Sequence, residues 1–280
     1  MKKFIAAFDG LRFSTSARDY AIQLARQSSA HLVGVFLDDF SYNSFRIYDL
    51  MKEEGGYSEV KHRKLEEKDA ATRKAAVEKF ESACRYAGIP YSVHHDRNIA
   101  IQELLHESIY CDLLIIDAGE TLKHYREKVP TEFIRELLTH VQCPVLVTPR
   151  VFRPIDQMVL LFDGEPSAVH AIKMLSYTLA SLKQYPAEVI SVKTGKQSLH
   201  VPDNKLMKEF MKRHFPRATY TVLKGMAEDE ILTALKAKHG NSMIVLGAYR
   251  RGMVSRWFRE SMADVLMREQ RFPLFIAHNK

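Results

Sequence analysis

Three short motifs occur twice in this chain, in the same order. Residues 4–10 read FIAAFDG and residues 158–164 read MVLLFDG; residues 111–119 read CDLLIIDAG and 241–249 read NSMIVLGAY; residues 142–149 read QCPVLVTP and 271–278 read RFPLFIAH. Ordered landmarks in both halves mark a duplicated domain. The duplication restricts the chain to a fold that one unit of roughly 130–150 residues can build and then repeat, each copy large enough for its own core. It also makes the copies controls for one another, so that a departure in one half can be read against the other.

Each half alternates strand-like and helix-like segments. In the first, residues 4–9 form a compact apolar run of the kind buried on both faces of a sheet. Ser14 or Ser16 can cap a helix that runs through Leu24. Strands follow at 31–37, 91–95, 113–117 and 145–148. Helices are expected at 65–86, with Ala76, Phe80 and Ala83 on one face and Gly88 as its stop, and at 99–108 and 132–140. In the second half, Ala168, Ile172, Leu175, Leu179 and Leu182 recur at helical spacing after a strand at 159–163. Strands at 188–193, 219–223, 243–246 and 274–277 and helices at 205–214, 228–238 and 261–269 complete the repeat. Such alternation predicts an α/β fold: two tandem doubly wound parallel sheets with right-handed crossovers. The domains are expected at 1–150 and 154–280, joined by a short linker.

Length distinguishes the copies. The extra material in the first falls near 38–60 and carries Phe40, Tyr42, Phe45, Tyr48 and Tyr57. It reads as a lid, a docking surface, or a helical excursion packed on its own domain. Charge distinguishes them too. The chain carries a net charge of +7; residues 1–150 hold 21 Lys+Arg against 22 Asp+Glu, and residues 151–280 hold 20 against 12. A basic half attracts phosphates of any kind. No apolar run reaches the roughly 18–20 residues a membrane span needs, so no membrane partner is expected. The N-terminus runs straight into a strand the repeat requires, which argues against a signal peptide. Cys84, Cys111 and Cys143 are odd in number and scattered, as free thiols in a reducing cytoplasm would be. A cytoplasmic location is expected.

Ligands of open parallel sheets sit beyond the carboxyl ends of the strands. Two segments there carry candidate chemistry. One is the aspartate ending the first strand of each copy, Asp9 and Asp163. The other is the loop after the fourth strand, which in the second half reads GAYRRGMVSRWFRES from Gly247 to Ser261. Glycines admit a close backbone approach, and a helix N-terminus with a serine receives an anion. Arg250, Arg251, Arg256 and Arg259 add positive charge. The nucleophile elbow, the Walker A loop and the dinucleotide fingerprint are absent. Adjacent His94 and His95 point to opposite faces of a strand and make a poor chelate. Trp257 is equally readable as an interface anchor and a pocket wall.

These residues resemble a tandem universal stress protein across essentially the whole chain: the VLLFDG start, the VLGAYRRGMVSRWFRES loop with the helix after it, and the CPVLV end. The resemblance implies a five-stranded parallel sheet of order 3-2-1-4-5 in each copy. In nucleotide-binding members it implies G-x-x-G, nine residues, then G-S or G-T around the phosphates, with the first-strand Asp and the second-strand end on the adenosine. Carried onto this sequence, the expected contacts of ATP or another adenine nucleotide are Asp163, Val192, Gly247, Arg250, Gly252, Ser261 and Met262, with Asp9 as the first-copy counterpart. Mg²⁺ is expected only with the nucleotide.

The chain departs from the pattern. Arg250 stands at the second glycine position and Glu260 at the third; Ser261 is kept. In the first half Asp117 and Glu120 stand at the glycine positions, and Pro130-Thr131 falls where Gly-Ser would be. Two carboxylates would repel a triphosphate, so the first copy is not expected to bind nucleotide. The resulting expectation is a non-enzymatic binding or regulatory protein of the stress response. Its fifth strands are expected to pair the two copies as an intrachain pseudo-dimer, with a homodimer and an unknown protein partner left open. A slow ATPase and a pure interaction module built on the aromatic insertion remain alternatives. Nucleic acid is not expected; it would call for a basic stripe on one face and a steep salt dependence.

Overall fold

The computed structural model describes residues 1–37, 59–96, 99–123, 125–193, 200–247 and 261–278. The chain divides into two compact units, Met1–Gln142 and Cys143–Lys280.

The first unit contains β1 (Lys3–Asp9), α1 (Thr15–Ser28), β2 (His31–Leu37), α2 (Glu59–Ala87), β3 (Tyr91–Asp96), α3 (Ala100–Ser108), β4 (Leu113–Asp117) and α4 (Glu132–His140). Its strands lie in the order β3-β2-β1-β4, and the paired strands are parallel. The runs FIAAF, LVGVF and LLII are buried along their length, as strands covered on both faces must be. Of the two serines able to cap α1, Ser14 does so, accepting the Ala17 N–H at 3.2 Å.

α2 is a long charged helix that buries only Ala76, Phe80 and Cys84. The stripe recurs every fourth residue, so Cys84 takes the place expected of Ala83. Burial pushes the Cys84 thiol up to about 12. Phe80 explains how so polar a helix is held. Its ring lies 5.6 Å from that of Phe8 and 6.0 Å from that of Phe36. It fits because position 34 in β2 has no side chain: a Cβ there would sit 2.7 Å from the Phe80 ring.

The second unit contains β5 (Val145–Thr148), β6 (Gln157–Leu161), α5 (Pro166–Thr178), β7 (Ala187–Lys193), α6 (Asn204–His214), β8 (Thr219–Lys224), α7 (Ala227–Lys236), β9 (Ser242–Leu246), α8 (Met262–Glu269) and β10 (Leu274–Ile276). Its order is β5-β10-β9-β6-β7-β8. Counted from its own first strand, β6, the second copy therefore has the order 3-2-1-4-5, and the first copy shows the same first four places. β5 runs antiparallel to β10, with Leu146 opposite Phe275; the other pairings in this unit are parallel.

Besides Cys84 and the start of α2 at Glu59, six residues ahead of the expected 65, two details of the second unit differ from the sequence expectation. The apolar helix predicted through Leu182 stops at Thr178 and continues as a 3₁₀ turn, Ala180–Gln184, which keeps Leu182 buried. Pro186 lies just beyond and disfavours helical geometry at Tyr185. The strand predicted to reach Asp163 ends at Leu161. The Asp163 carboxylate accepts the Glu165 N–H at 2.9 Å, which turns the chain before it can pair further.

Candidate functional site

In the second unit, β6 has β7 on one side and β9 on the other, so strand order reverses there, the place where open parallel sheets bind ligands past the carboxyl ends of their strands. Leu161 pairs with Ile190, and the Phe162 N–H bonds the Ile190 carbonyl at 2.9 Å. Asp163 follows Leu161 by two residues, and Val192 follows Ile190 by two within β7. Asp163 is exposed, and apart from the turn bond to Glu165 its carboxylate meets no partner among the described residues. Gly247 follows β9 directly. A Cβ there would lie 2.4 Å from the carbonyl carbon of Ser167, so backbone packing against the first turn of α5 requires this glycine whatever else approaches it. Ser261 caps α8, accepting the Asp264 N–H at 3.2 Å, and Met262 begins the helix. Arg250 and Gly252 lie outside the described residues, as do Arg251, Arg256, Trp257, Arg259 and Glu260. The structure thus groups Asp163, Val192 and Gly247 at one sheet edge, and the connection from β9 leads to the capped start of α8.

The corresponding place in the first unit is filled by the protein itself. Asp9 is 1% exposed, where Asp163 is open to solvent. Its side chain makes the same kind of turn, accepting the Leu11 N–H at 2.7 Å. Its backbone N–H donates to Glu120 Oε2 at 3.3 Å, while Glu120 Oε1 accepts from Thr121 at 3.0 Å and Leu122 at 3.4 Å. Asp117 accepts from the Ser14 hydroxyl at 2.7 Å and from the Gly119 N–H at 2.8 Å. Thr131 caps α4 through the Ile134 N–H and donates to the Glu120 carbonyl. Thr131 therefore performs in the first copy the capping that Ser261 performs in the second. Desolvation, then the Asp9 and Asp117 charges, push the Glu120 carboxyl up to about 8. This pocket does not fit an adenine nucleotide: a carboxyl occupies the phosphate side, and three backbone donors are spent on it. In the second unit the matching carboxylate, Asp163, is exposed and the helix start is capped by Ser261.

The residues missed by sequence reasoning are those that close the first copy. Ser14 was readable as a cap but not as a donor to Asp117. Glu120 was readable as a charge facing a ligand, not as a buried acid standing in its place. Among the described residues no three His, Cys, Asp or Glu side chains are arranged to hold a metal. His94 bonds Glu107 at 2.7 Å, and Lys3 reaches the same carboxylate at 3.0 Å. Burial acts to raise the Glu107 carboxyl, but the bonds from Lys3 and His94 outweigh it and hold the group below its ordinary range. His95 stacks on Phe36; the two histidines are structural.

Solved structures share this architecture. A universal stress protein from Archaeoglobus fulgidus DSM 4304 superposes with a TM-score of 0.70 at 13% identity, over 99% of this chain and 98% of that one. The fold is that of universal stress proteins. A putative universal stress protein from Pseudomonas aeruginosa UCBPP-PA14 superposes with a TM-score of 0.55 at 18% identity, over 99% of this chain and 92% of its own. Coverage of both chains nearly end to end means that the likeness to the universal stress protein fold extends through both repeats. At these identities it is a likeness of fold. No family model matches the sequence, and no curated protein does. No helix among the described residues is long and apolar enough to cross a membrane.

Proposed function

We propose that this chain is a tandem universal stress protein, a cytoplasmic, non-enzymatic binding or regulatory protein of the stress response, whose second unit takes ATP or another adenine nucleotide. The observation that carries the reading is the contrast between the two copies: Asp163 stands open at the strand-order reversal, whereas Asp9 is buried beneath Glu120. Asp163 and Val192 would meet the adenosine side. Gly247, Arg250, Gly252, Ser261 and Met262 would meet the phosphates, which supply the negative charge that the α8 N-terminus favours. Mg²⁺ would enter with the nucleotide. The antiparallel pairing of β5 with β10 supports the further reading that the closing strands join the repeats as a pseudo-dimer.

Calorimetry with ATP and Mg²⁺ tests this. One site per chain is expected. Asp163→Ala should weaken it about tenfold or more, the scale of a hydrogen bond to a charged group. Ser261→Ala should also weaken it, while lowering stability by about 1 kcal/mol through loss of the cap. Absence of heat with the unaltered chain would refute the nucleotide site. Steady phosphate release that depends on a stoichiometric metal would refute the non-enzymatic reading.

A further inference from the structure

In the second unit, at the end of the sheet opposite Asp163, lies a cleft of about 560 Å³. It is bounded by the 3₁₀ turn Ala180–Gln184, which leads into β7, and by the end of α6 with the residues that lead into β8. β7 pairs parallel with β6, and β8 with β7. These connections therefore meet at the amino ends of the strands, whereas Asp163 follows the carboxyl end of β6. The 7 residues of β7 hold the two ends roughly 20 Å apart. The walls of the cleft include Ser181, Lys183, Gln184, Arg213, His214 and Arg217, and no Asp or Glu lines it among the described residues.

The basic excess of the second half thus has a local expression. Lys183, Arg213 and Arg217 form no ion pair among the described residues. The carboxyl end of α6 carries about half an elementary charge of negative sign, and Arg213 answers it by donating to the Glu209 carbonyl at 3.1 Å. The full charges of Lys183 and Arg217 remain on the wall, and a one-signed cleft concentrates anions from solution. The Ser181 hydroxyl on the same wall is buried and has no hydrogen-bond partner among the described residues; a buried polar group of this kind calls for a partner from outside the chain. The volume falls in the roughly 300–1,000 Å³ range of small-molecule sites.

His214 sits on this wall with its protons assigned by its neighbours. Ser176 Oγ donates its single proton to the Lys173 carbonyl at 3.1 Å. The bond between Ser176 Oγ and His214 Nδ1 is therefore one that the imidazole donates, and Nε2 is the nitrogen that gains or loses a proton. The charged and titratable groups around the ring are Lys173 and Tyr177 of α5, Lys183 of the 3₁₀ turn, and Arg213 and Arg217 on either side of it in the chain. No carboxylate is among them. Burial, then the charges of Lys183 and Lys173, hold the imidazole below its ordinary range, so it is neutral at pH 7 in the free chain. An anion in the cleft shifts that balance toward the imidazolium.

We propose that this cleft binds a small phosphoryl-bearing anion and that His214 takes up a proton as the anion enters. The two arginines supply planar donors suited to phosphate oxygens, and Lys183 supplies a compact charge. The site does not rest on the nucleotide reading, which concerns the other end of the sheet. Binding should weaken as salt is added, because the cations are open to screening.

The test uses the full chain at low ionic strength, titrated calorimetrically with inorganic pyrophosphate and, side by side, with a sugar monophosphate. Binding of the first alone identifies an inorganic phosphate as the ligand type; binding of the second identifies a phosphate ester. In either case Lys183→Gln combined with Arg217→Gln, neither side chain being buried, should weaken the affinity about tenfold or more, about 1.4 kcal/mol. Lys205→Gln, at the other end of α6, should change it less than about twofold. Asp163→Ala should leave it unchanged. Proton uptake is read by nuclear magnetic resonance. The His214 ring signal, assigned by its loss in His214→Asn, should titrate about one pH unit higher in the chain saturated with the probe. The inference is overturned if neither probe binds, if Lys205→Gln weakens binding as much as the paired substitution, if Asp163→Ala abolishes it, or if the His214 titration does not move.

Discussion

Raising the pH from about 4.5 to 8 should progressively destabilise the first unit, and Glu120→Gln should abolish that slope. Glu120 is buried beside Asp9 and Asp117, and its carboxyl is raised from the ordinary 4.5 to about 8. The folded unit therefore holds a proton that the unfolded chain releases. Stability from this group is fully present below pH 4.5, falls on the order of 1 kcal/mol per pH unit through the window, and levels off above 8. Glu107, Glu127 and Glu188 are shifted the other way; their contribution is lost as pH falls below about 4.5, outside this window. Glutamine stays neutral at every pH and keeps the acceptor for the Thr121 and Leu122 N–H groups. It turns a donor toward the Asp9 N–H, at a cost of about 1 kcal/mol. Glu120→Gln should thus be less stable than the parent at pH 5 and more stable at pH 9. Urea midpoints of the first-unit transition across pH would show the two curves crossing; parallel curves would mean that the carboxyl is ionised in the folded unit.

Phe80→Ala should lower the stability of the first unit by about 3–5 kcal/mol, the usual scale for emptying a buried aromatic site. The remainder of α2 has little with which to make good the loss, since its other fully buried groups are the side chains of Ala76 and Cys84. Gly34→Ala should cost about 1–3 kcal/mol by driving a methyl into the ring. The smaller Phe80→Leu side chain in the Gly34→Ala background should recover part of that loss, because two groups competing for one space couple in a double-mutant cycle. Additive losses would show that the two positions do not share the space.

What the sequence made legible follows from range. The duplicated landmarks and the buried runs at β1, β2 and β4 are local patterns, and they placed the strands to within a residue or two. Helix starts were legible at Ser14 or Ser16 and at Ser261 because a cap acts on donors only three residues away. The state of Asp9 was not legible. It depends on Glu120, 111 positions along the chain, and a string of letters does not tell a carboxylate repelling a ligand from a protonated acid replacing one. Asp9 and Asp163 occupy matching places and make matching turns, yet one is sealed and the other open. Gly247 read as room for a ligand; the backbone of Ser167 gives it a second, structural cause.

The short antiparallel seam of β5 against β10 determines where this chain can be cut. β5 closes the first repeat in sequence yet belongs with the second compact unit. A fragment begun at the apparent linker near residue 154 would leave behind the strand that shields Leu274, Phe275 and Ile276, baring a flat apolar ribbon edge that invites self-pairing. Scission ahead of Cys143 keeps β5 on β10, so the boundary of the repeat and the boundary of the compact unit do not coincide.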